Sequence, residues 1–306
     1  QAASKESRLA GGSLTAAGGW CSPSETLYDL CTIESTDGLW DLPEVQANRG
    51  GIQFTKGPSF QDIYDLGGFL QTEAQAEAGT EKDCWDVECP PFEEVRLDAI
   101  GLCIRAGILT NATYPELIRR YLEGALIAQQ HRVSANLIAR AEAITGAAVN
   151  IPDVFPNAVS LLSALELVAE GERQRWRLPF SATLEIILPR WVRAALRADL
   201  ANRTGVELTN VTDQMLDQHF AVRGLRVQFL YNYQPLTVRT GAGTEGDPYV
   251  SVPATDYPDT IQTIMYPAGT FVKLSTDVIN LDAVYDSTGL STNTYTALFA
   301  EEGIAL

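Results

Sequence analysis

The pattern of apolar and polar positions divides the chain into four regimes. Up to about residue 50 it is short of periodicity and rich in Gly, Ala, Ser and Thr, apart from a small helical candidate at Ser24–Cys31 that Ser22, Pro23 and Ser24 are placed to initiate. This stretch reads as an arm rather than as core. From Gly51 the period becomes two: "GIQFTKG", a polar loop through "QTEAQAEAGTEKDC", and then "FEEVRLDAIGLCIRA". There Val95, Leu97 and Ala99 alternate with Arg96 and Asp98, before the apolar phase slips near Ile100 and Gly101 onto Leu102 and Ile104. Alternation predicts strands and the slip predicts a bulge or bend, so the segment is expected to be an extended hairpin with a long polar tip.

The third regime is "TYPELIRRYLEGALIAQQHRVSANLIARAEAITG". Thr113 with Glu116 three residues on has the spacing of a capping box, and Gly146 is placed to stop the helix. A helix from Tyr114 to Thr145 is roughly 45–50 Å long at ~1.5 Å per residue. Its apolar stripe, Ile118, Leu122, Leu126, Val133, Leu137 and Ile144, predicts packing along one face. The fourth regime alternates: a helix over Pro156–Arg175, a buried strand "ATLEIILP", a helix "PRWVRAALRADLANRTG" with Pro189 in its first turn, a helix over Thr212–Arg223 and a strand "LRVQFLYNY". A Gly-rich loop and a Pro-rich stretch lead back to strands in "GTFVKLSTDVINLDAVYDSTGLSTNTYTALFAEEG". The expected class is α+β.

Composition narrows the classes. A chain of 306 residues, 45% of them apolar, is long enough to bury a sizeable core. With 39 acidic against 22 basic residues and a formal net charge of -17, nucleic-acid binding by phosphate neutralisation is not expected over most of the surface, and a functional basic patch would have to be local. No stretch approaches the ~20 apolar residues of a membrane span, and the start lacks a secretory pattern, so a soluble chain made inside the cell is expected.

The candidate chemistry is thin. "GAGTEG", Gly241 to Gly246, matches a dinucleotide fingerprint by letter, but "DPYVSVP" follows where a helix should open, so a loop is the better reading. His131 and His219 have no metal-spaced partner and no nucleophile elbow is present, which predicts structural or interface roles for both, no catalytic residues and no enzyme activity. Cys84 and Cys89 are separated by four residues and Cys103 lies beyond them, without the C-x2-C pairs of a zinc site, so no metal and no cofactor is expected. A tip disulfide between Cys84 and Cys89 is sterically conceivable, with free thiols the default in a reducing cytosol.

The order of arm, long two-stranded loop, long helix, mixed α/β part and returning strands resembles the major capsid proteins of tailed double-stranded DNA phages, the Hong Kong 97-like fold. "TAAGGWCSPSETLYDL", "DLPEVQANRGGIQF", "LEIILPRWVRAALRADLANRTG" and "YPAGTFVKL" are similar to stretches of actinobacteriophage members. The resemblance implies an N-terminal arm at 1–50, an extended loop and return strand at 51–104, and a peripheral domain at 105–149 and 259–306 with a spine helix at 113–146. The axial domain is at 150–258, with Gly241, Gly243 and Gly246 in its loop at the capsomer centre. It further implies hexamers and pentamers building an icosahedral shell around DNA that is bound without sequence specificity. Portal, scaffold and minor capsid or decoration proteins are the other implied partners, with no membrane. The place of action is the phage head, assembled in the host bacterial cytoplasm, and Gln1 fits a mature chain left after removal of a scaffolding segment. Trp20, Phe54, Phe60, Tyr64, Phe69 and Trp85, in segments without a core of their own, are expected at contacts between subunits. An encapsulin-type shell of the same fold is the alternative.

Overall fold

The computed structural model of the chain describes residues 34–57, 60, 63–64, 67–82, 84–87, 89–145, 148, 161–205, 207–240, 250–253, 258 and 260–306. Trp20, Gly241, Gly243 and Gly246 lie outside the described residues, as do Cys21, Cys31, the helical candidate at Ser24–Cys31 and the stop at Gly146.

Strand β1 (Glu44–Gln46) is followed by β2 (Gly51–Phe54), which pairs antiparallel with β3 (Glu93–Arg96) in the register Gly51↔Arg96 to Phe54↔Glu93. Between them lies a short helix α1 (Glu73–Glu77). The expected hairpin is present, and the chain changes partner at Leu97: β4 (Asp98–Gly107) leaves β3 and joins another sheet. That exchange falls at Leu97, three residues before the phase slip read in the sequence, and β4 runs without a bulge through Ile100 and Gly101. The register irregularity itself sits elsewhere, in β12 (Thr294–Ala305) at Thr296/Leu298, rather than at Ile100 and Gly101.

Helix α2 (Ile108–Thr113) is interrupted at Tyr114, whose backbone is non-helical (φ -135°, ψ 65°), and Pro115 opens α3 (Pro115–Thr145). Pro suits a first helical position because its missing N–H has no intrahelical acceptor there. Thr113 therefore does not cap the long helix; its hydroxyl donates to the Leu109 carbonyl at 2.8 Å instead. The C-terminal half of α3 buries Val133, Leu137, Ile138 and Ala141, while Ile118 and Leu122 pack half-buried against Ala106, Tyr295 and Ala297. Leu126 and Ile144, expected on the packed stripe, are exposed.

Strand β5 (Leu184–Pro189) is buried at all six positions. It lies between β6 (Leu225–Leu230), parallel, and β9 (Ile264–Pro267), antiparallel. A strand covered on both faces reads as an unbroken apolar run, which is why "LEIILP" shows no alternation. Helices α4 (Leu161–Arg175), α5 (Val192–Thr204) and α6 (Asp213–Ala221) cover it through Leu165, Leu196, Leu216 and Phe220. Pro189 is the last residue of β5, and α5 starts three residues later. The Thr212 hydroxyl accepts the Met215 N–H at 3.3 Å and caps α6, as its residue type predicts. One charge enters this strand: Glu185, whose buried carboxylate accepts from the Arg226 guanidinium at 2.7 Å.

A ribbon of β7 (Thr237–Thr240) and β8 (Val250–Pro253) stands apart from this sheet. The remaining sheet is organised by β12. Strand β4 runs along one of its edges, so β10 (Lys273–Ser275) and β11 (Ile279–Val284) share the other, end to end. A helix α7 (Ser287–Ser291) joins β11 to β12, and β1 adds parallel to β10.

The core begins earlier than the sequence pattern indicates. Trp40 is buried, donates from its backbone N–H to Ser134 Oγ at 3.0 Å and from Nε1 to the Tyr266 hydroxyl at 3.2 Å, and meets Phe271 edge-on at 5.6 Å. Burial pushes the Tyr266 phenol well above its ordinary pKa, so the hydroxyl stays protonated. Asp41 and Gln228 exchange two hydrogen bonds of 2.9 Å. At Gly38 (φ 69°) a Cβ would stand 2.3 Å from the Tyr231 ring, so only glycine fits where the segment crosses it.

Candidate assembly surface

The tip of the hairpin is held by local contacts, and none of its described residues is buried. Thr72 accepts the Gln75 N–H at 3.4 Å while the Thr72 N–H donates to Gln75 Oε1 at 2.9 Å, a reciprocal cap of α1, whose residues are all exposed. Gln71 Nε2 donates to the Thr80 carbonyl at 2.9 Å, and Lys56 bridges to Glu93 at 2.8 Å across the base. Between Thr55 and Phe92 the sequence has eight acidic residues against Lys56 and Lys82. The projection is therefore a strongly anionic ribbon with its own turns and no core.

Its aromatic residues are nevertheless large and accessible. Phe54, Phe60, Tyr64, Phe69 and Trp85 are between 37% and 61% exposed. Two of them have contacts within the chain: the Lys82 ammonium lies 5.0 Å from the Phe69 ring centre, and the Arg177 guanidinium lies 5.3 Å from that of Tyr64. Leu70, Val87 and Phe92, which the sequence reading passed over, are more exposed than any of the five. The signal was there: Leu70 and Val87 lie in a stretch without period 2 or 3.6, and Phe92, at the head of the alternating segment, is out of phase with Val95 and Leu97.

A second accessible region is the edge of the β12 sheet. All six residues of β11 are exposed, Ile279, Leu281 and Val284 among them, and Tyr285 beside it stacks on Tyr295 at 5.0 Å. Between this edge and the first half of α3 runs a groove of about 420 Å³, lined by Ile118, Leu122, Leu126, Asn280, Asp282 and Tyr295 among others. A third is the corner after α4, where Trp176 and the almost fully exposed Phe180 stand beside Arg175 and Arg177.

The other residues singled out in the sequence are dispersed. Cys84, Cys89 and Cys103 are exposed free thiols. His131 Nε2 lies 2.8 Å from the Ser35 carbonyl oxygen, and Asn232 Nδ2 donates to the His131 carbonyl at 3.1 Å. His219 Nε2 lies 3.1 Å from Glu166 Oε1. Among the described residues no group of three His, Cys, Asp or Glu side chains is placed to hold a metal ion, and no helix is long and apolar enough to cross a membrane. The arrangement offers extended apolar and anionic surface for contact with other macromolecules.

No protein-family model and no curated protein matches the chain. Solved structures do. The capsid of an empty GTA particle superposes with a TM-score of 0.53 at 11% identity, over 95% of this chain and 93% of that one. The capsid of the native GTA particle gives 0.50 at 11% identity with the same coverage. The capsid structure of the cyanophage P-SCSP1u gives 0.46 at 14% identity over 98% and 92%. Nearly the whole chain thus shares the fold of the GTA capsid proteins.

Proposed function

We propose that this chain is the major capsid protein of a tailed double-stranded DNA phage, a structural shell protein of the Hong Kong 97-like kind that assembles through hexamers and pentamers around the genome. One observation carries the reading: a fold shared along nearly the full length with the capsid of the GTA particle. The exposed apolar residues support it, because a two-stranded ribbon is marginal in water unless another surface covers it. In this reading α3 is the spine, the β12 sheet with α3 forms the peripheral domain, and the β5 sheet with its helices forms the axial domain. The projection and the arm lie across neighbouring subunits. Many modest contacts per subunit, repeated around a closed shell, give a stability that no single pair provides.

Negative-stain microscopy of the purified chain is the test. Capsomers or closed shells are expected, and uniformly small particles overturn the reading. Among shells, packaged DNA supports the phage head, whereas a protein cargo points to the encapsulin-type compartment. Deleting residues 70–88 should leave monomers or capsomers that do not close.

A further inference from the structure

The corner after α4 is built to hold its side chains out. The helix ends in a Schellman cap: the Leu178 N–H donates to the Arg173 carbonyl at 2.9 Å and the Arg177 N–H to the Gln174 carbonyl at 3.2 Å. The left-handed position of such a cap is usually glycine, and here it is Arg177, at φ 51°. Beyond it the Ala182 N–H donates to the Pro179 carbonyl at 2.9 Å and closes a turn with Phe180 at its apex, 96% exposed. The turn is pinned from beneath. The buried Arg173 guanidinium donates to the Ala182 carbonyl at 3.4 Å and to the Arg223 carbonyl at 2.7 Å, and Leu178 packs against the core around β5. Arg177 and Phe180 are thus presented on a fixed frame. Phe180 adds no burial to the fold, and glycine in place of Arg177 would relieve the backbone; both choices point to a use for the side chains.

The corner also departs from the acidic balance of the chain. From Gln174 to Leu184 the sequence has Arg175 and Arg177 and no acidic residue. Glu172, one turn back, is engaged by Trp176 Nε1 at 3.1 Å and by Arg175 at 3.5 Å. The projection is the counterpart. From Glu73 to Glu88 it has six acidic residues against Lys82, with Trp85 and Val87 among them, and Glu73, Glu77, Glu81 and Asp86 are exposed. We infer that the corner of Arg175, Trp176, Arg177 and Phe180 receives the projection tip of a second copy of this chain, its carboxylates on the guanidinium groups and its apolar side chains on the two aromatic rings. The projection of the same chain meets the corner at its base, where Tyr64 lies beside Arg177. Its tip is closed on itself through Gln71 with Thr80 and Lys82 with Phe69, and it leaves Phe180 in water. Tip and corner are different surfaces, so the contact is heterologous and repeats from copy to copy until a ring closes. The inference rests on the shell reading and adds to it the surface that receives the projection.

Two full-length variants provide the test. In one, Arg175→Glu with Arg177→Glu reverses the corner; in the other, Glu73→Lys, Glu77→Lys and Glu81→Lys reverse the tip. Each alone should give about ten-fold fewer capsomers or shells than the unmodified chain in sedimentation and negative-stain microscopy, because like charges then meet at every contact. Mixed in equal amounts they should assemble again, since the tip of each matches the corner of the other, a rescue that a contact within one chain does not produce. Arg177→Gly removes the guanidinium and relieves the cap, so the subunit's denaturation midpoint should hold or rise while particle yield falls several-fold. Normal particles from the corner variant overturn the inference and leave the shell reading standing, whereas an unmodified chain that never associates overturns both. A mixture that stays unassembled overturns the inference, and recovery instead in a single chain carrying all five changes assigns the contact to one subunit. Corner-variant shells that close normally and retain less DNA overturn it by assigning the corner to nucleic acid.

Discussion

The projection between β2 and β3 and the sheet around β5 are built on opposite terms. In β5 every residue is buried and three helices close over it, so its apolar side chains are satisfied within the chain. In the projection Leu70, Trp85, Val87 and Phe92 are in water and the hydrogen bonds that shape the tip are local. Burying a Leu or Phe side chain stabilises by about 1.5–3 kcal/mol. The first region spends that gain on its own folding, while the second leaves it unused within the chain.

The sharpest way to break this contrast is Leu188→Ala in β5. A buried leucine with no room to collapse should cost about 2–5 kcal/mol, read as a lower denaturation midpoint of the isolated subunit. Trp85→Ala with Phe92→Ala should do the reverse: the subunit's midpoint stays within about 0.5 kcal/mol, as for surface sites, while the yield of closed particles falls several-fold. An equal loss of subunit stability from both would erase the distinction. Arg226→Ala should cost about 1–2 kcal/mol. That is less than the full cost of orphaning a buried carboxylate such as Glu185, because the guanidinium is 46% exposed and water partly replaces it.

A smaller effect is expected at His219. Burial first, and then the Arg223 and Arg203 guanidinium groups, hold its pKa below the ordinary 6.5 against the opposing pull of Glu166. The folded state thus favours the neutral ring. Its contribution to stability is complete above the ordinary 6.5 and is lost as the pH falls from there through the lower folded-state value. His219→Gln should flatten the pH dependence of the midpoint in that window. The smallest effect of all is expected from changing Cys84 and Cys89 to Ser, which should leave both particle yield and subunit midpoint unchanged, checked by microscopy and denaturant titration.

Which elements were legible in the sequence follows the same contrast. The hairpin, the long helix and β5 each carry a local rule: alternation, a 3.6-residue period, an apolar run. What the rules missed depends on distant partners. Trp40 and β1 lie in a stretch without period, and they are structured because Ser134, Tyr266 and β10 receive them from far along the chain. Leu126 sits on the helical stripe, yet it is exposed because β11 stands off from α3 across the groove. Thr113 has the right letters for a capping box, but it was claimed by the short helix before it. The exposed surface was legible in kind, as aromatic residues without a core, and not in detail. Tyr64 rests beside Arg177 of the same chain, and Leu70, Val87 and Phe92 were overlooked.

The pairing of β4 with β12 sets a clock. Gly107 meets Thr294 and Asp98 meets Ile304, partners separated by roughly two hundred residues of chain. At about 5–20 residues per second of synthesis, β4 leaves the ribosome on the order of ten to forty seconds before the strand that completes it. Throughout that interval its backbone edge and the apolar side of α3 lack their native cover, so a nascent chain of this design is exposed to mispairing for longer than most small domains take to fold. Slowing translation downstream of α3 should therefore increase aggregation without altering the finished protein.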